Sequence, residues 1–130
     1  MEWTMSIGDH GLYEFEGAVL KDAWYELEGA YEVFGIGRCR FVFVHCRSAM
    51  LISLVLLAKK KGFSISECNI ESLGRRLKMP QHLINSCMAI EQAGRYEQIL
   101  NKKTEDQECA EIILNKTLEA FEWIRGKIAE

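Results

Sequence analysis

Basic side chains fall in three short clusters along this 130-residue sequence: Arg38, Arg40 and Arg47; Lys59, Lys60 and Lys61; and Arg75, Arg76 and Lys78. The chemistry open to them is electrostatic, contact with the phosphates of a nucleic acid or nucleotide. The ordinary role of such clusters is to solvate helix ends, and each is read that way here. Cys39 and Cys46, seven apart, can share a helix face. A metal centre needs three or four converging ligands, however, and no second Cys or His pair stands at a recognised spacing. Both are therefore expected as buried thiols, with no metal and no cofactor. Trp24, Tyr31 and Phe34 recur at helical spacing and are read as core rather than as an aromatic cage. The sequence has no glycine-rich phosphate loop, Ser/His/Asp order or paired-carboxylate motif.

The elements that position these residues are helices. Leu12, Phe15, Val19, Ala23, Leu27, Ala30 and Phe34 step by threes and fours, one face of a long helix that Gly35-Ile36-Gly37 ends. Gly17 and Gly29 weaken it by roughly 1 kcal/mol each relative to alanine, which points to close packing against a neighbour. A second helix is predicted from about Arg38 to Lys61, with Gly62 as its C-cap and three lysines facing the negative end of its dipole. Phe41-Val42-Phe43-Val44 is locally strand-like, but the apolar run is too long for a typical strand and continues into strong helix formers. Apolar on most sides, this helix is expected at the centre. Phe41 to Leu57 carries His45 and Arg47 and is shorter than the ~20 residues of a membrane span, so it is read as a buried helix, not a bilayer one.

Ser64 and Glu67 read as a capping box opening a short third helix through Leu77. Pro80 is placed as the first residue of a fourth, with Leu83, Ile84, Cys87, Met88 and Ile90 as its apolar stripe. Thr104 and Gln107 form another capping box, ahead of a long fifth helix carrying Ile113, Leu114, Leu118, Phe121, Ile124 and Ile128. The expected architecture is all-α: an up-and-down four-helix bundle with one additional short helix. A single domain over residues 1–130 is expected, its ordered core running from about Leu12 to Ile128, because no Ser/Gly/Pro-rich stretch marks a linker. A net charge of −3 argues against non-specific binding to duplex DNA. Five cysteines, odd in number and mostly within helical stretches, suit a reduced cytoplasmic protein, and Met1 to His10 lack the order of a signal peptide.

With the helices in place the chain resembles the HEPN family, whose helical bundle is like the C-terminal domain of kanamycin nucleotidyltransferase. The likeness is clearest at Phe43-Val44-His45-Cys46-Arg47-Ser48-Ala49, similar to the stretch opening the family's second helix, and it continues through Leu54 to Gly62. Asn69-Ile70-Glu71-Ser72-Leu73, Ala93-Gly94-Arg95-Tyr96 and Ala120-Phe121-Glu122-Trp123-Ile124 resemble its later signatures. Arg47 and Ser48 stand where the family favours two glutamines, and Glu97 where it has proline.

The resemblance implies a homodimeric nucleotide- or RNA-associated module, working beside a small nucleotidyltransferase-type partner in a toxin–antitoxin-like system. It places ligand contacts at Arg95, Tyr96 and Arg47. Arg95 would hold a phosphate or carboxylate through its planar fork, and Tyr96 would stack or donate a hydrogen bond. The alternative it implies is a metal-independent ribonuclease with Arg40 and His45 as its catalytic pair, histidine moving a proton from a ribose 2′-hydroxyl and arginine steadying the phosphate. Five residues on a regular helix separate those side chains by about 140°, and Phe41 is apolar where the family is polar. Binding without catalysis is the expectation. A structural bundle with no nucleotide ligand is the third reading.

Overall fold

The run Cys39–Lys60 combines strong helix formers with an uncharged stretch from Ser48 to Ala58, so it both favours a helix and needs covering on most sides. The computed structural model, which describes residues 17–65, 69–95 and 107–130, is all-helical over those residues and makes this run their centre. In order the helices are α1 (Gly17–Gly35), α2 (Cys39–Lys60), α3 (Ile70–Arg76), α4 (Gln81–Ala93) and α5 (Gln107–Ala129). α2 packs against all four others, most extensively against α1 and α5. Its buried residues, from Cys39 through Phe43, Cys46, Met50 and Leu54 to Ala58, join Leu20, Trp24 and Leu27 of α1 and Phe121, Ile124 and Ile128 of α5 in one core. Trp24 and Phe121 meet at a ring separation of 6.1 Å. Ser53 and Thr117, both buried, return their hydroxyls to the Ala49 and Ile113 carbonyls at 2.8 and 2.7 Å, so neither hydroxyl lacks an acceptor. By length and composition α2 would suffice to cross a membrane, and half of its most apolar window is buried inside the bundle.

Three helices end alike. Arg38 N–H donates to the Val33 carbonyl and Gly37 N–H to Phe34; Phe63 donates to Ala58 and Gly62 to Lys59; Met79 donates to Gly74 and Lys78 to Arg75. This is the Schellman pattern, whose turning residue has a positive φ. Gly37 and Gly62 take it at φ +80° and +81°, where glycine meets no steric penalty. At the end of α3 the turning residue is Lys78, at φ +61°, a conformation that costs a side-chain-bearing residue about 1 kcal/mol.

The sequence reading needs correction in three places. Ser64 does not open α3: the cap is Asn69, whose side chain accepts from Ser72 N–H at 3.0 Å, and Glu67 lies outside the described residues. Of the expected α4 stripe Leu83, Ile84, Cys87 and Ile90 are buried, but Met88 is 43% exposed and Glu91 joins the buried face. Pro80 precedes the first residue of α4, and its carbonyl accepts from Leu83 and Ile84. Leu12, Thr104 and Cys68 lie outside the described residues.

Candidate anion-binding groove

His45 projects from α2 toward α1, where its Nδ1 lies 3.2 Å from Glu26 Oε2 and its ring sits on Gly29. A Cβ at Gly29 would come within 3.1 Å of that ring, which accounts for a glycine inside a helix. Arg40 stands five residues earlier on α2, about 140° around the helix. The two are therefore not brought to one face.

Arg47 points the other way, toward α4. Its Nε donates to Glu91 Oε2, while Glu91 Oε1 accepts from the Ile70 N–H at 3.1 Å. One buried carboxylate thus joins α2, the first residue of α3 and α4, and its burial is offset by a charged partner and a backbone donor. The stem of Arg47 lies on Gly94, just past the end of α4 and next in sequence to the exposed Arg95. Tyr96 lies outside the described residues.

Two of the core thiols are held away from nucleophilic chemistry. Burial pushes the Cys46 thiol up to about 12, against a smaller opposing effect of its hydrogen bond with Thr117. Burial, reinforced by the charges of Glu71 and Glu91, raises Cys87 to about 12. Both stay protonated and unreactive near neutrality. Cys39 is buried as well, whereas Cys109 is exposed. Among the described residues no group of three or more His, Cys, Asp or Glu side chains could hold a metal ion.

A different site forms where the C-terminal ends of α2, α3 and α5 meet the start of α4. Leu57, Lys61, Leu77, Lys78, Pro80, Trp123 and Lys127 line a cavity of about 370 Å³. A second, of about 220 Å³, is lined by Lys61, Phe63, Arg76, Leu77 and Lys78. Lys61, Leu77 and Lys78 belong to both, so the two form one groove.

Among the described residues, four cations and no carboxylate line it. The negative ends of three helix dipoles make this crowding of positive charge tolerable. Lys127 lies 5.6 Å from the Trp123 ring centre and 3.0 Å from Glu130, and Lys60 ties the ends of α2 and α5 by donating to the Ile128 carbonyl. Arg76 lies 5.2 Å from the Phe63 ring centre and donates to the Ser64 carbonyl at 3.0 Å. The ammonium groups of Lys61 and Lys78 have no hydrogen bond or ion pair with any described residue.

The sequence shows two of these basic clusters but not their meeting. Lys61 and Lys78 are brought together by the turn from α2 through α3, and Trp123 and Lys127 arrive from α5. The legible signal was a basic cluster beside each of two helix stops, with Trp123 and Lys127 one helical turn apart.

Comparison with known proteins gives no match: no family model, no curated protein and no solved structure is significantly similar to this chain.

Proposed function

We propose that this chain is a helical binding module for a phosphate-bearing nucleotide or RNA ligand, which it takes in the groove between Lys61, Lys78 and Lys127. The observation that carries the reading is the pair of ammonium groups, Lys61 and Lys78, that face a partly apolar groove without a described partner. A phosphate would supply the missing counter-charge, and Trp123, Leu57 and Leu77 the apolar surface for a base. On a chain of net charge −3, a basic groove also concentrates anionic ligand at one place rather than over the whole surface.

The test is fluorescence anisotropy of a labelled single-stranded RNA with the full chain. Lys61→Glu should weaken binding at least tenfold, and the wild-type log K should fall with log salt at a slope of about −2, the release expected for about three phosphate contacts on a single strand. Arg95→Ala serves as comparator, since Arg95 is the family-like anion contact. Affinity lost with Arg95 and kept in Lys61→Glu moves the site to the far end of α4.

The resemblance to HEPN bundles adds a homodimer acting beside a nucleotidyltransferase-type partner in a toxin–antitoxin-like setting. The outward side of α2 suits a second copy. Phe41 is 42% exposed, and Val44, Leu51, Ile52 and Val55 are only partly buried. A two-fold contact would cover them. Light scattering at tens of micromolar should give twice the 14.9 kDa chain mass, and a monomer throughout that range removes the dimer.

A further inference from the structure

The groove is divided, and the division is chemical. Each compartment holds one aromatic ring with its own cation over it, Trp123 with Lys127 in the larger and Phe63 with Arg76 in the smaller. Between them stand the residues common to both, the floor residue Leu77 and the lysines 61 and 78. Single-stranded nucleic acids present this same alternation: a flat base, a charged phosphate linkage, a flat base. Aromatic platforms set along a basic track are the general means of holding such strands.

From this we infer that the groove takes a two-nucleotide unit of a single strand. One base lies against the Trp123 compartment, the next against the Phe63 compartment, and the phosphate joining them sits between Lys61 and Lys78. The inference rests on the phosphate-ligand reading above and adds to it the length of the ligand. A mononucleotide fills one compartment and leaves the other wet. A duplex keeps its bases stacked on each other and offers neither compartment a face.

The backbone at Lys78 supports the assignment independently. At the matching turns after α1 and α2 the chain uses glycine, yet here a lysine is held at φ +61°. Strain of this kind is characteristic of functional positions, and this side chain is one of those lining both compartments.

The experiment measures binding of five probes to the full chain by calorimetry: inorganic phosphate, adenosine 5′-monophosphate, the 5′-phosphorylated adenylyl dinucleotide, and hexa-adenylate as RNA and as DNA. The dinucleotide should bind at least tenfold more tightly than the mononucleotide, within what stacking one further base contributes. Lengthening to six should add less than about threefold beyond the statistical gain. The ribose and deoxyribose forms should bind alike, because the assignment uses bases and phosphate alone.

Lys78→Gly should bring the dinucleotide down to mononucleotide affinity while the thermal midpoint holds or rises, a combination that misfolding does not produce. Phe63→Leu should weaken the dinucleotide and spare the mononucleotide.

Equal binding of mononucleotide and dinucleotide, both lost in Lys61→Glu, overturns the two-nucleotide unit and leaves the phosphate reading standing. Affinity that climbs steadily to six nucleotides also overturns it, in favour of an extended electrostatic track. Failure of every probe to bind overturns both.

Discussion

Leu54→Ala should lower the stability of the chain by about 2–5 kcal/mol, the range for truncating a buried leucine whose surroundings cannot collapse into the space. Leu54 has no exposed surface, and it lies toward the C-terminal half of α2, the helix that touches every other. The loss is a large share of the roughly 5–15 kcal/mol that holds a small domain together. A thermal midpoint lower by roughly 10 °C or more is the expected reading in a melt followed by circular dichroism. Leu51→Ala, on the partly buried side of the same helix, should cost clearly less. Equal midpoints for wild type and Leu54→Ala would remove α2 from the centre of the core.

Gly94→Ala should cost about 3 kcal/mol, although it adds a single carbon. A Cβ there would lie 2.7 and 2.8 Å from Arg47 Cβ and Cδ and 2.9 Å from the Phe43 carbonyl oxygen. The Arg47 Cδ can swing aside only by giving up Glu91, which leaves a buried carboxylate with the Ile70 N–H alone, and the Arg47 Cβ is fixed by the α2 backbone. The carbonyl cannot swing at all. Overpacking of this kind costs about 1–3 kcal/mol before the ion pair is counted. In urea the midpoint should drop with little change in slope. The double variant Gly94→Ala, Arg47→Ala should recover little of the loss, because alanine keeps the Cβ of residue 47, the clash with the Phe43 carbonyl remains, and Glu91 loses its charged partner. Full recovery would mean that the side chain alone sets the spacing between α2 and α4.

How much of this was legible in the sequence depends on whether one helix or several carry the information. α1, α2 and α5 declare themselves through apolar residues three and four apart, and their stops through Gly37 and Gly62, because periodicity and turn chemistry are local. Ser64 and Glu67 imitate a capping box, but two good capping residues compete within six positions and Asn69 takes the role. Local rules do not rank such competitors. Met88 and Glu91 show the opposite failure: a charge on the buried face is incompatible with a stripe read from hydrophobicity, yet Arg47 of another helix and a backbone N–H accommodate it. The groove belongs to the same class. Lys61, Lys78, Trp123 and Lys127 come from three helix ends, and only the packing of α2, α3 and α5 makes them neighbours.

The place of α2 also sets a timetable. Its contacts with α1 close as soon as both helices exist, but the surface destined for Phe121, Ile124 and Ile128 waits for α5. From Lys60 to Ala129 the ribosome has 69 further residues to add, roughly 3–14 s of synthesis at ~5–20 residues per second. Throughout that interval the apolar, α5-facing side of α2 stands uncovered on the nascent chain.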